Sequence, residues 1–280
     1  MSVAVKAHNW CNSGNAFTNL ADALLPCVLA AARVQLAYFS SAVEVITKAD
    51  ETPVTVADRE SEAILLKAIE AIAPGVPIVA EEAMAGGAIV TEPGDCFFLV
   101  DPLDGTREFI SGRGEFTINI AMVRKGRPDF GLIYAPVSGD LFVTLSTTEA
   151  VHARLTPDAN PERLTDVTLT PIRAREARPG GLVAVVSRSH MNKSTEDYLS
   201  TLPIAERRSA GSSLKFCLIA AGDADIYPRV GATSEWDIAA GHAILLAAGG
   251  SLTSMDGDEL RYGKSADKYR NPSYVARGRT

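Results

Sequence analysis

Two apolar runs in this chain end in acids. PIVAEE (77–82) delivers Glu81 and Glu82, and CFFLV (96–100) runs straight into Asp101 and Asp104. Asp58 and Asp237 lie at helix-associated positions flanked by small residues. An isolated acid at a strand end is most often a cap or turn residue. Acids gathered in one partly dehydrated cleft behave differently: they repel one another, raise one another's pKa values and destabilise the fold unless cations neutralise them. Oxygen-only ligands of this kind suit Mg2+, which favours a few carboxylates together with water and substrate phosphate. Zinc hydrolysis is not expected. The histidines His8, His152, His190 and His242 include no HExxH pair, and Cys11, Cys27, Cys96 and Cys217 show neither CxxC nor Cys/His spacing. The cysteines read as reduced thiols, mostly packing residues.

Gly105 and Thr106 add what a phosphate needs, a turn without side-chain obstruction whose backbone N–H groups can point at an anion at a helix start. Phosphate plus metal leaves two enzyme classes open. An Asp-x-Asp-Gly-Thr run after a strand would suggest a haloacid-dehalogenase-type phosphatase with an aspartyl nucleophile. In DPLDGT (101–106) the spacing is three rather than two, which casts Asp101 as a metal ligand instead of a covalent nucleophile.

The elements that must position these residues are readable from periodicity. Helices are expected over 20–43 and 56–73, the second with Ile64, Leu65, Ala68, Ile69 and Ile72 at helical spacing behind a Thr55/Asp58 start signal. Strands over 77–82 and 96–100 deliver their acids to one sheet end. TINIAMVRKGRPDFGLIYAPVSGDLFVTL (117–145) gives three strands separated by the turn chemistry of KGRP and PVSGD, an antiparallel meander. The polar, Pro-rich stretch 150–180 reads as a surface excursion or domain junction, with a soft boundary near 181. Beyond it come a strand (182–187), a helix (212–222), a strand (224–229), a glycine-closed helix (234–250) and a strand (251–255). The expectation is α+β: an antiparallel-rich metal-binding region over 1–180 and an α/β substrate-binding region over 181–280. In the late helix, Trp236, Ile238, Ile244 and Leu245 are expected to pack, and Gly241 to allow a close helix contact; Glu108 is expected to be an exposed charge.

Bulk properties exclude other classes. With 280 residues, 46% hydrophobic and 22% charged, the chain can bury a substantial core. A formal net charge of −7 argues against a nucleic-acid polymer as partner. The apolar stretch LLPCVLAAA from Leu24 is broken by Pro26 and ends at Arg33, short of the ~20 residues of a spanning helix. No transmembrane segment or cleaved signal is expected, so the location expected is cytoplasmic, with peripheral association at the inner membrane left open.

PVTVAD (53–58), VAEE (79–82), DPLDGT (101–106) and WDIAAGHAILLAAGG (236–250), in that order, resemble the lithium-sensitive, Mg2+-dependent phosphatase superfamily that includes inositol monophosphatase and fructose bisphosphatase. Within it, DGTREFI, VVSRSH (185–190), GSSLKFCLIAAGDADIYPR (211–229) and NPSYVA (271–276) are most similar to the 3′(2′),5′-bisphosphate nucleotidases of bacterial sulfur assimilation. The resemblance implies a layered αβαβα sugar-phosphatase-like fold and two or three Mg2+ ions. It implies that Glu81 ligates the first metal, Asp101 bridges two, Asp104 and Asp237 hold the second, the Leu103 carbonyl completes a site, and Glu82 serves a more weakly held ion. Catalysis would rest on Asp58, Thr106 and Glu81, with Asp58 and Thr106 acting as base or orienting the attacking water. Gly105 and Thr106 would receive the scissile phosphate; His190, Ser212, Lys215 and Arg229 would hold the remaining phosphate and nucleoside.

The substrate so implied is adenosine 3′,5′-bisphosphate, with 3′-phosphoadenosine 5′-phosphosulfate as a second, in sulfur assimilation, and lithium is implied as an inhibitor. An inositol monophosphatase-type activity and a non-catalytic metal- or nucleotide-binding regulator are the alternatives, and oligomeric state is left open. The plainer readings of the cations are a solvated face for Lys215, pairing with Asp225 or Glu235 for Arg229, and a helix cap for His190.

Overall fold

The computed structural model describes residues 16–39, 45–47, 53–88, 90 and 92–279. The helices are α1 (Ala16–Phe39), α2 (Val56–Ile72), α3 (Glu81–Ala85), α4 (Thr106–Ile110), α5 (Lys193–Ser200), α6 (Leu214–Ala220) and α7 (Glu235–Ala247). A short antiparallel pair, β1 (Val45–Thr47) and β2 (Pro53–Thr55), precedes α2. The larger sheet follows chain order: β3 (Ile78–Ala80), β4 (Cys96–Asp104), β5 (Thr117–Arg124), β6 (Arg127–Ala135), β7 (Asp140–Ser146), β8 (Glu149–Arg154) and β9 (Thr170–Ile172). Its β3–β4 pair is parallel and the rest is an antiparallel meander. The smaller sheet is ordered β11 (Ile204–Ala210), β10 (Leu182–Ser187), β12 (Ile226–Arg229), β16 (Tyr274–Arg277), β14 (Ser251–Ser254), and a two-residue pair joins β13 (Thr233–Ser234) to β15 (Arg270–Asn271).

Alternation along the strands builds the layers. On β4, Phe98 and Val100 pack with Leu20, Leu24, Val28, Leu65 and Ile69 of α1 and α2. Phe97 and Leu99, on the opposite face, join Phe216, Ile238, Ile244 and Leu245 of α6 and α7, which in turn meet Tyr227, Leu252 and Tyr274 of the smaller sheet. The far side of that sheet, Ala184, Ile226 and Val275, is covered by Leu199 of α5. The stack is therefore αβαβα. Where α7 crosses β6 only glycine fits, because a Cβ on Gly131 would lie 2.3 Å from the Ala240 carbonyl oxygen. Gly241 similarly lets Phe216 approach, the close helix contact expected for it.

Three expectations change. The helix expected over 20–43 begins at Ala16 and ends at Phe39 within the described residues, and it runs through Pro26. Pro26 lies on the outward face, where loss of one backbone hydrogen bond is least damaging. By length and composition α1 is the one described helix that could cross a membrane, but 56% of that apolar window is buried in the protein and it packs as a core helix. Residues 150–180 are more than an excursion, since β8 and β9 extend the larger sheet and Leu155 and Leu164 are buried. The expectations for residues 1–15, including His8 and Cys11, lie outside the described residues.

Candidate active site

The acids meet at one end of the middle helical layer. Asp104 follows Asp101 by three positions, which in a regular strand would put them on opposite faces. The ladder instead pairs Asp101 with Asn119 and Asp104 with Thr117, a β-bulge that spends one extra residue on β4 and returns both acids to one side. The main-chain groups released by the bulge are used. Leu103 N–H donates to Asp101 Oδ1 at 3.0 Å, and the Pro102 carbonyl accepts from Gln35 Nε2 at 2.6 Å. Thr106 Oγ lies 3.3 Å from the Leu103 carbonyl.

Asp58 and Asp237 are placed by a shared device. Each is the third residue of a helix and uses one carboxylate oxygen to accept the N–H of the residue before that helix: Thr55 N to Asp58 Oδ2 at 2.8 Å, Ser234 N to Asp237 Oδ2 at 2.7 Å. Glu81 opens α3 immediately after β3. One carboxylate oxygen from each of Glu81, Asp101 and Asp237 comes within 4.8 Å of the others, a spacing that fits a shared divalent cation. Burial, then the charges of Glu81, Asp104 and Asp237, push the Asp101 carboxyl well above the usual range; desolvation, then Glu81 and Asp104, do the same for Asp237.

That cost has a measurable sign. Between the ordinary carboxylate value and the raised folded one, the folded protein binds more protons than the unfolded chain, so stability falls as pH rises. In EDTA the melting temperature is expected to decline from mildly acidic to neutral pH, and a saturating divalent cation should remove the decline. A flat profile in EDTA would contradict a shared acidic cluster.

Thr106 Oγ1 donates to Asp58 Oδ1 at 3.2 Å, although Asp58 sits on α2 and Thr106 opens α4. Between strand and helix, Gly105 adopts φ +97°, and a Cβ there would stand 3.2 Å from the Glu115 carbonyl oxygen, so this sharp entry favours glycine on two counts.

A cleft of about 1030 Å3 opens here, lined by Glu81, Asp101, Leu103, Asp104, Gly105, Thr106, His190, Ser212, Lys215, Arg229 and Asp237. Of the expected site residues, Asp58 and Glu82 are absent from the lining. Asp58 reaches the cleft through Thr106, while the Glu82 backbone is held by Glu62 Oε2 at 2.7 Å.

The plainer alternatives for the cations give way. Lys215 is 7% exposed, donates to the Ser212 carbonyl and lies 5.4 Å from the centre of the Tyr227 ring, so it is not on a solvated face. Asp225 is engaged by Arg175 at 2.7 Å and Glu235 by Lys264 at 2.7 Å, so neither pairs with Arg229. Arg229 instead donates to the His190 carbonyl at 3.1 Å, and its Nε is buried without a partner. His190 is not the cap of α5, a place taken by Asn192. Partial desolvation, then Arg229 and Arg107, lower the His190 pKa.

Sequence reasoning missed several groups. Glu108, expected to be exposed, is 4% exposed, accepts from Ser189 Oγ and lines the cleft. Trp236 lines the cleft as well as packing beside Tyr269. Asp104 Oδ2 is met by Ser212 Oγ at 2.8 Å, Ser213 Oγ at 2.8 Å and Asn119 Nδ2 at 3.3 Å. Thr117 and Asn119 were detectable as polar residues at alternate positions of the apolar run TINIAMV, and Ser213 as the second hydroxyl of GSS.

Comparison with known proteins gives a consistent result. The sequence model of the Inositol monophosphatase family matches residues 18–277. The chain is 38% identical over 231 residues to the 3′(2′),5′-bisphosphate nucleotidase CysQ of Shigella flexneri, covering 82% of this chain and 87% of that protein. It superposes on the crystal structure of CysQ from Bacteroides thetaiotaomicron with a TM-score of 0.78 and 33% identity, covering 94% and 98% of the two chains. An inositol monophosphatase structure from Anabaena follows at TM-score 0.68 and 25% identity, covering 93% and 91%.

Proposed function

We infer the activity from one premise: the chain belongs to the inositol monophosphatase family. It is a phosphatase that removes the 3′-phosphate of adenosine 3′,5′-bisphosphate, giving AMP and phosphate. Its likeness to bisphosphate nucleotidases supports this choice within the family. The observation that carries it is a single cleft holding an acidic cluster, the Thr106 end of a Thr106–Asp58 hydrogen bond and basic side chains that include Arg229 and the largely buried Lys215. We extend the proposal to 3′-phosphoadenosine 5′-phosphosulfate and to a place in sulfur assimilation, since the same cations suit a sulfated 5′-phosphate.

The oxygen-only donor set fits Mg2+. Glu81, Asp101, Asp104, Asp237 and the Leu103 carbonyl would hold two ions, and Glu82 would serve a third. Bound there, Mg2+ supplies Lewis acidity that activates water and offsets charge on the departing 3′-oxygen. The chain's own residues do the rest. Thr106 gives its hydroxyl proton to the Asp58 hydrogen bond, which leaves the Thr106 oxygen as the acceptor that aligns the attacking water. Gly105 and Thr106 receive the scissile phosphate at the start of α4. Lys215 and Arg229, with Ser212 and His190, position the 5′-phosphate and nucleoside. Residues 1–180 thus contribute most of the cation ligands and 181–280 the nucleotide contacts, with Asp237 crossing that division.

Phosphate release from a substrate panel tests the assignment. Adenosine 3′,5′-bisphosphate is expected to be preferred, and a strong preference for inositol monophosphate would move the protein to the other activity of its family. Arg229→Ala should raise KM for adenosine 3′,5′-bisphosphate about tenfold or more, the worth of one hydrogen bond to a charged group, while KM for 3′-AMP stays within about threefold. Equal effects on both substrates would remove Arg229 from the 5′-phosphate site. LiCl is expected to inhibit at concentrations where KCl does not, and equal responses to the two salts would discount a lithium-accepting cation site.

A further inference from the structure

Asp104 is bound by side chains whose placement across two layers has a consequence for the cation site. Its Oδ2 is met by Ser212 and Ser213 from the start of α6 and by Asn119 from β5. Ser213 is 1% exposed, and its hydroxyl has a second oxygen within reach, the main-chain carbonyl of Asp237 on α7 at 2.8 Å. Asn119 Nδ2 donates to Ser213 Oγ at 2.9 Å, and Thr117 Oγ1 donates to Asn119 Oδ1 at 2.9 Å, which sets the direction of the Asn119 amide. With one lone pair of Ser213 Oγ taken by Asn119, its single proton points toward the Asp104 carboxylate and the Asp237 carbonyl. The bond to the carboxylate is charge-assisted and the stronger of the two.

Ser213 therefore touches both acids at once: the side chain of one, carried by the larger sheet, and the backbone of the other, carried by the middle helical layer. We propose that Ser213 is a positioning residue that ties Asp104 to Asp237, fixing the separation of two cation ligands that arrive from different layers. With Oδ2 met by the Ser213 hydroxyl and the Asn119 amide, Oδ1 is the Asp104 oxygen available to a cation. The inference rests on the acidic cluster being a divalent-cation site, as proposed above. Removing an outer partner of a metal ligand typically weakens metal affinity or activity by about 10- to 100-fold.

The test is Mn2+ binding followed by electron paramagnetic resonance, which needs no substrate and reports on the folded protein alone. Ser213→Ala is expected to weaken Mn2+ about tenfold and to raise the half-activating Mg2+ concentration by a similar factor. KM for nucleotide at saturating Mg2+ should stay within about threefold. In an Asp104→Asn background, Ser213→Ala should add less than about threefold, because it acts through Asp104. Unchanged Mn2+ affinity in Ser213→Ala overturns the inference, as does a full additional loss in the double variant. So does a drop in folded protein with the affinity of the folded fraction intact, since that marks a purely structural serine. Absence of Mn2+ binding to the wild-type protein overturns the cation-site reading itself, and this inference with it.

Discussion

Asp101→Asn is expected to lower kcat by about a thousandfold while raising the melting temperature of the cation-free protein. The two effects have one origin. Asp101 is 2% exposed and its carboxyl is pushed upward first by burial and then by three neighbouring acids. The amide keeps the shape and an oxygen to accept the Leu103 N–H, but it carries no charge to be repelled. In EDTA at neutral pH the variant should therefore melt roughly 2–4 °C higher for each kcal/mol of relieved repulsion. On the proposed role of Asp101 as a cation ligand, loss of several kcal/mol of cation-borne charge stabilisation would account for the fall in turnover. Differential scanning fluorimetry with and without Mg2+, set beside phosphate release, checks both halves. A variant that melts lower in EDTA and keeps most of its turnover would show that Asp101 is an ordinary structural acid.

Thr106→Val carries the second large effect. Valine preserves the branched shape but leaves Asp58 Oδ1 without the Thr106 hydroxyl, so kcat should fall about 10²- to 10⁴-fold, the range for a lost proton-handling group. KM should change little, because the backbone at Gly105 and Thr106, proposed above to receive the phosphate, is untouched. Thr106→Ser, which restores the hydroxyl, should recover most of the turnover. Steady-state kinetics on the three proteins separate the possibilities: a rise in KM at constant kcat would assign Thr106 to binding alone.

The acidic half of the site was legible because each acid follows a local signal. Glu81 and Asp101 terminate apolar strands, and Asp58 and Asp237 stand third in helices that follow Thr55 and Ser234. Each is a short-range pattern, and the order of elements carries the acids to one end of the stack. The meander over 117–145 was legible for the same reason, with turn residues marking each reversal. Lys215 and Glu108 were harder to place, since their burial is decided by partners remote in the chain: Tyr227 for one, Ser189 for the other. Pro26 misled because its local penalty is outweighed by the apolar residues of α1 that pack on either side of it. The bulge lay between these cases. The three-residue spacing of Asp101 and Asp104 was visible, but only the pairing with β5 shows how both acids reach one side.

That irregularity has a practical implication for mutagenesis. A strand in the middle of a sheet ordinarily contributes only side chains, since its peptide groups are spoken for by its neighbours. Here the bulge interrupts that duty, and the Leu103 oxygen, proposed above as a cation ligand, has the Thr106 hydroxyl 3.3 Å away. An alanine scan of β4 would pass over it, because every amino acid has the same carbonyl. Only chemistry on the main chain, such as an ester in place of the amide that follows Leu103, would reveal how much that oxygen contributes.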